Sequence, residues 1–500
     1  MGDMSGMGGN IGVVGSGRSF YVLSLFVLNI GLARSMGAES FGSFQQVFMF
    51  SALFVVLTLG VPETMYFFLP RLTTEERPGF LSQTILFLGA SGCALFVAFL
   101  LGASFLAGVQ GNPSIAANLR IFGVYGGFMV ASAFADPIFI IFKRVRYLFS
   151  LSILHGIFFV GITVWQYTSG AAAAALFTAM AVFAAFKFAL ALLLVYRMRP
   201  LIGDIRYISG KRMLLLQMSF SLPIALSTTV DIISTWLDKF VVSFYLGKGA
   251  LGIFYVGAME IPFVAVLLTS VYSVISPVLN AHHHRGDSAG FADLVKKTLF
   301  FTAKMVWPLW IYLIVFADRL IPLVFGAGYD ASVLPFRIYL LMMPIRIALY
   351  GVIVIALGKP RIVLWSAAGA LLLNLVLNVI LVVRMGIAGP AVATVLSSYA
   401  HVAVLLWVVM RGIRVNITAL VPFRGLFEIG VTAGLAALAG FAVAESGVLE
   451  NDAQAVVISA VIFTVLYLFL GTRAGFIRLL SIRDILEGRH GGRTDGSKKN

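Results

Sequence analysis

Two arginines set inside apolar runs are the residues of this 500-residue chain best suited to chemistry. Arg346 follows Pro344 with Tyr350 one helical turn on, and Arg18 stands among Ser16, Ser19 and Tyr21. A guanidinium presents paired N–H donors in a planar fork, so two of them suit recognition of a phosphate or diphosphate. Arg18 reads equally as the aqueous flank of its helix. Lys187, Lys239 and Lys304 also fall in apolar runs, and Lys187 and Lys304 lie close enough to a helix end to snorkel to the interface.

The carboxylates form a second group. Glu63 follows Pro62, Asp136 precedes Pro137 and Glu260 precedes Pro262. Proline removes a helical N–H, so these carboxylates should stand at breaks in adjustable helices. At bilayer depth a carboxylate either carries a coupling proton or sodium ion or pairs with a base. Ser227, Asp231, Ser234, Thr235 and Asp238 recur at spacings of three and four, which puts them on one helix face. That face suits a cavity wall or a hydrogen-bonded stripe between helices, and Asp238 beside Lys239 suits a local ion pair. Tyr125, Ser132 and Asp136 repeat the pattern earlier in the chain.

Asn374 and Asn378, one turn apart, are expected to bridge helices as structural amides. His282, His283 and His284 are consecutive and diverge on a helix, so no metal is expected there. The lone cysteine, Cys93, excludes an internal disulfide and reads as a packing residue. No phosphate-binding loop, zinc-binding helix motif or serine elbow is present in the sequence, so the chemistry is that of a transporter without a cofactor, not an enzyme.

The elements that must position these groups are membrane helices. Hydrophobic residues make up 60% of the chain and charged residues 11%, far from the soluble range. Apolar runs of the roughly twenty residues needed to span a bilayer recur from Val22 to Leu470, without strand-like alternation. The fold class is therefore all-α and polytopic, with about fourteen transmembrane helices near 10–34, 43–70, 80–106, 118–142, 148–168, 172–196, 215–245, 250–281, 298–317, 333–357, 362–384, 388–410, 425–444 and 453–472. No basic residue precedes Arg18, so no signal peptide is expected and the first helix should be retained.

The net charge of +15 would fit a nucleic-acid binder, but its distribution fits a membrane better. Twenty-five lysines and arginines fall in one alternate set of loops and the tail, against six (Arg34, Arg120, Lys248, Arg319, Arg337 and Arg384) in the other. Basic residues accumulate on the cytoplasmic side, so both termini are expected there and no nucleic-acid partner is expected.

Glu39-Ser-Phe-Gly-Ser-Phe44 and Gly249-Ala-Leu-Gly-Ile-Phe254 match at an offset of about 210 residues, the trace expected of two six-helix lobes around a pathway. Gly386-Ile-Ala-Gly-Pro-Ala391 repeats the glycine turn within one half, so the device is partly general. With the basic linker Arg197 to Arg212 as boundary, the expected organisation is a lobe over 1–205, a second over 206–412, a helix pair over 413–475 and a basic cytoplasmic tail over 476–500.

The hairpin turn at Gly42, Gly60-Val-Pro-Glu63, Leu237 to Gly247 followed by Ala250 to Phe254, Gly326-Ala-Gly-Tyr329, Gly358-Lys-Pro-Arg361, Asn374 through Asn378 and Gly386 through Thr394 together resemble the polysaccharide flippases of the multidrug/oligosaccharidyl-lipid/polysaccharide exporter superfamily. The resemblance implies two lobes around a cationic cavity in a bacterial inner membrane. It implies an undecaprenyl-pyrophosphate-linked oligosaccharide (an O-antigen or exopolysaccharide repeat) moved to the periplasmic leaflet by alternating access on an ion gradient. Arg18, Arg346, Tyr350 and Lys239 would then face the pyrophosphate, and Glu63, Asp136, Asp231, Asp238 and Glu260 would line the cavity or couple the ion. Partners would be membrane lipids and a polysaccharide polymerase with its assembly proteins. The alternatives are a peptidoglycan lipid-precursor flippase and a drug or organic-cation antiporter of the same superfamily. A membrane glycosyltransferase or polymerase fits less well, since the longest outer loop, Asp318 to Ser332, is too short to carry a catalytic centre.

Overall fold

A computed structural model describes residues 4–203, 210–446, 449 and 451–477, with side chains from residue 15 on and none at 211. Arg206, the expected lobe boundary beside it and the tail from Arg478 lie outside the described residues. Among those described, every regular element is helical. The helices are α1 Met4–Phe48, α2 Ala52–Leu57, α3 Val61–Phe68, α4 Glu76–Val109, α5 Ala116–Ala131, α6 Ala135–Ile141, α7 Val145–Ser169, α8 Ala173–Arg197, α9 Arg199–Ile202 and α10 Lys211–Gly257. They continue with α11 Pro262–His284, α12 Ser288–Phe325, α13 Val333–Leu340, α14 Tyr350–Ala356, α15 Pro360–Met385, α16 Ala388–Ile413, α17 Ile417–Leu420, α18 Phe423–Ala444 and α19 Asp452–Arg473.

Twelve stretches of described residues are long and apolar enough to cross a membrane, and the chain is a multi-pass membrane protein. The first, Gly15–Phe68, has 54 residues. At about 1.5 Å per residue a helix of that length would reach roughly 80 Å, well over twice a hydrocarbon core of about 30 Å. Its backbone is non-helical at Gly37, which divides it into two segments. The 46-residue stretch Arg212–Gly257 is divided in the same way at Gly247. Joining the piece after Gly247 to α11, and counting α13 with α14 as one interrupted segment, gives fourteen, the expected number.

The residues that divide the helices are Gly37 (φ 75°) and Gly247 (φ 81°), which adopt backbone conformations costly for other residues. The turn expected at Gly42 is therefore displaced by five residues, and Gly42 is helical. It serves close approach instead. A Cβ on Gly42 would strike the carbonyl oxygen of Lys248, and one on Gly252 would strike that of Ala38. The two matching sequence junctions thus pack backbone to backbone with reciprocal contacts, and Lys248 pairs with Glu39 at 2.9 Å.

Contacts divide the chain into two compact units, one of residues 1–256 with 375–390, the other of 257–374 with 391–500. The core of the first is aromatic: Phe44 stacks on Phe177 with centroids 4.7 Å apart, and Phe122 meets Phe48, Phe54, Phe99 and Phe177. Such pairs add about 0.5–1.5 kcal/mol each beyond burial. In the second unit α12 is the spine, packed against α11, α18 and α19. The Tyr312 hydroxyl donates to the Val456 carbonyl at 2.7 Å, and Arg319 pairs with Glu445 at 2.5 Å.

Four membrane segments are interrupted: α2 from α3 at 58–60, α5 from α6 at 132–134, α10 from α11 at 258–261, and α13 from α14 at 341–349. Pro62, Pro137 and Pro262 stand just beyond three of these breaks, as the proline–carboxylate spacing predicts, and Pro344 stands within the fourth, where a continuous helix is expected. Uniform helices expected over 250–281 and 333–357 are each two helices, because apolar runs hide a break that proline and glycine impose.

Candidate functional site

The breaks lie beside two cavities, one within each unit. In the first unit Glu63 comes from the first turn of α3, directly after Gly60 (φ 66°) and Pro62, and Asp136 comes from the first turn of α6 before Pro137. Each carboxylate thus sits where a helix restarts and exposed N–H groups favour negative charge. Arg18 on α1 reaches Asp136 at 3.3 Å, and Tyr66 lines the same cavity. Both members of the ion pair are about half exposed, at 55% and 52%, so it is a solvated pair worth little to stability.

These groups line a cavity of about 550 Å³. Lys187 on α8 also lines it, with its ammonium nitrogen 3.4 Å from Nδ1 of the buried His155. Lys187 therefore turns inward, where snorkelling would have turned it out. Glu63 forms no ion pair among the described residues. Tyr21, Tyr66, Tyr125, Trp236 and Tyr255 contribute aromatic walls, and Ser51, Thr58 and Ser132 contribute hydroxyls. Of these, Tyr66, Trp236 and Tyr255 escape the sequence reading, because an aromatic in an apolar run resembles ordinary packing.

The second unit holds a smaller cavity of about 290 Å³ between the breaks at 258–261 and 341–349. Arg346 and Glu260 meet there at 2.9 Å, with side chains 42% and 59% exposed. The rest of the lining is largely apolar, with Met259, Met342, Met343, Phe336, Leu268 and Leu349. Tyr350, expected beside Arg346 in a continuous helix, is buried as the first residue of α14.

The remaining expected residues lie elsewhere. Lys239 and Asp238 form a local pair at 3.3 Å, with Lys239 also donating to the Thr235 carbonyl at 3.0 Å and lying over the Trp236 ring. Asp231 is exposed on α10. Asn374 donates to Thr394 at 3.2 Å and Ser397 at 2.8 Å, a bridge from α15 to α16, and Asn378 is fully buried. Lys304 lies over Phe300. His282 meets Asp287 at 2.7 Å, and no three-residue metal cluster occurs among the described residues.

Two buried amide networks were also missed. Gln46 donates to Ser243 and the Gln110 carbonyl and accepts from Asn112, while Gln217 donates to Thr64 and Thr84 and accepts from Gln83. Glutamines inside apolar runs were the available signal, since a buried amide must find partners.

Comparison with known proteins agrees with this architecture. A family model described as "Polysaccharide biosynthesis protein" matches residues 32–334. The probable low-salt glycan biosynthesis flippase Agl15 of Haloferax volcanii is 26% identical over 170 residues, 33% of this chain and 35% of that relative's length. The match thus spans about a third of that protein. In fold, a structure of the lipid II flippase MurJ in an inward closed conformation has a TM-score of 0.69 at 17% identity, covering 91% of this chain and 96% of that one. An inward-facing multidrug resistance MATE family transporter of the MOP superfamily has a TM-score of 0.65 at 16% identity, covering 79% of this chain and 94% of that one.

Proposed function

We propose that this chain, which belongs to the polysaccharide biosynthesis protein family, is a flippase for an undecaprenyl-pyrophosphate-linked oligosaccharide. It carries that lipid from the cytoplasmic to the periplasmic leaflet of a bacterial inner membrane by alternating access, and an ion gradient resets it. Both termini lie in the cytoplasm, and the two six-helix lobes with their added helix pair supply the moving parts.

The observation that carries this reading is Arg346, a half-exposed guanidinium in a mostly apolar cavity at a helix break, held by Glu260 at 2.9 Å. A lipid diphosphate has both halves of what that cavity offers: an oxyanion that can take the guanidinium's paired donors, and an apolar chain beside it. Binding would exchange one carboxylate for a more highly charged anion. Protonation of the displaced Glu260, or its binding of a sodium ion, is then a route for coupling. Arg18 with Asp136 repeats the device in the other unit.

Disrupting the gene should strand lipid-linked oligosaccharide on the cytoplasmic leaflet, and mass spectrometry of that lipid identifies the substrate. If none accumulates, the reading is wrong. A stranded peptidoglycan precursor in its place would establish that substrate instead. An organic-cation antiporter has one observation in its favour, the carboxylates Glu63 and Asp136 beside aromatic rings. It would be revealed by drug sensitivity on disruption with no stranded lipid.

A further inference from the structure

The cavity of the first unit differs from that of the second in its aromatic and hydroxyl-bearing walls. Its charged lining consists of Arg18, Lys187, Asp136 and Glu63, so its formal charges cancel. The result is a neutral cavity rich in flat rings and directional hydrogen-bonding groups.

That combination matches a sugar ring. A pyranose presents apolar C–H faces that lie against aromatic side chains, and a rim of hydroxyls that donate to carboxylates and accept from ammonium and guanidinium groups. The rings are braced for such work: Tyr125 packs on Phe54 and Phe122, Tyr255 meets Phe41 edge-on with centroids 5.7 Å apart, and Lys239 lies over Trp236. Tyr66 is 42% exposed. The volume falls within the range of about 300–1,000 Å³ typical of small-ligand sites.

We propose that this cavity is the glycan subsite of the transported lipid, with Glu63 its specificity-determining carboxylate. The proposal rests on the flippase reading above and assigns one part of that substrate. Glu63 and Asp136 accept from sugar hydroxyls, Arg18 and Lys187 donate to them, and Trp236 and Tyr66 cover the ring faces. Neutral sugar units are favoured. A uronic acid would leave excess negative charge beside Glu63 and is disfavoured.

The test uses the full-length chain in its own membranes with the lone exposed cysteine replaced, Cys93→Ser. Ser51→Cys places a reporter in this cavity and Ala265→Cys one in the cavity of the second unit. Each is labelled with a polar maleimide in two strains, one making the complete lipid-linked glycan and one whose glycan stops after its first sugar. The complete glycan should slow labelling at position 51 at least fivefold relative to the truncated lipid, with position 265 the same in both strains. Equal labelling at position 51 in the two strains overturns the subsite. So does protection there by tetraphenylphosphonium but not by glycan. If Ser51→Cys does not export, Met129→Cys in the same cavity takes its place.

A second readout is independent of labelling. Glu63→Gln should lower export of the complete glycan about tenfold while export of the truncated lipid changes less than twofold, at unchanged abundance in the membrane. Equal losses for both lipids would assign Glu63 a role other than glycan recognition. Failure here leaves stranding of lipid on gene disruption intact, whereas failure of the flippase reading abolishes stranding itself.

Discussion

The two cavities share a plan and differ in their walls. Each lies beside two interrupted helices, and each holds one arginine paired with one carboxylate, Arg18 with Asp136 at 3.3 Å and Arg346 with Glu260 at 2.9 Å. The first is larger, aromatic and ringed with hydroxyls, and adds Lys187 and Glu63 to the pair. The second is smaller and lined by methionine, leucine and phenylalanine. One ion-pair device thus stands in two solvents. In the polar cavity other groups stand ready to replace a lost partner. In the apolar cavity Arg346 and Glu260 are the charged residues of the lining, so disturbing them should cost more.

The largest effect should follow from Arg346→Glu. It sets two carboxylates where a pair stood and removes the guanidinium, so export should fall at least a hundredfold with membrane abundance unchanged, measured by stranded lipid and by immunoblot. Wild-type export would remove Arg346 from the pathway. The charge swap, Arg346→Glu with Glu260→Arg, separates structure from recognition. Restored export means that the pair only holds the helices together, whereas persistent loss means that the position of the guanidinium matters. We expect persistent loss there, and at least a tenfold recovery for Arg18→Asp with Asp136→Arg relative to Arg18→Asp alone. Recovery in both cavities would erase the contrast between them.

Next in size is a steric test of the frame that holds the polar cavity. Gly42→Val must push the α1 backbone off Lys248, and Gly252→Val does the same against Ala38. Either should lower the thermal midpoint in detergent by several degrees and reduce export. Gly434→Val, where a Cβ meets open space, should do neither. Gln217→Leu should cost less, about 1–3 kcal/mol, by leaving Thr64, Thr84 and Gln83 short of a buried partner. Its midpoint should fall while the ratio of complete to truncated glycan exported stays fixed. A changed ratio would tie this network to the cavity.

Much of this was legible in the sequence, for physical reasons. Hydropathy alone requires the helices. Prolines beside Glu63, Asp136 and Glu260 pointed to the breaks, because proline is best tolerated in the first turn of a helix, where all three stand, although Pro223, Pro277, Pro308 and Pro322 lie inside continuous helices. Arg18 and Arg346 stood out because charge at bilayer depth is costly. Their partners were not legible: Arg18 and Asp136 are 118 residues apart, and nothing local links them. The aromatic walls were hidden for a different reason. Tyr66, Trp236 and Tyr255 have the same composition and spacing as residues that merely pack, and only the fold turns them toward one space. The helix over 333–357 was misjudged at its centre because Leu341, Met342 and Met343 are good helix formers, overridden by Pro344 and the neighbouring break.

The smallest effect serves as a control for the apolar cavity. Asp287 caps α12, accepting from the Gly290 amide at 2.8 Å, and lies 2.7 Å from His282 in the turn between α11 and α12. The amide of Gly290, and then His282, hold its carboxyl below the usual carboxylate range. A depressed folded-state pKa makes its contribution complete above the unfolded value of about 3.9, and that contribution fades as pH falls through the folded value. Asp287→Asn should therefore lower the thermal midpoint slightly near pH 7, with the difference from the parent shrinking below pH 4. Its export and its labelling at Ala265→Cys should match the parent's. If this small loss of stability in the second unit also abolished export, the effect of Arg346→Glu would lose its meaning as a local event, and the contrast between the two cavities would reduce to fragility of one unit.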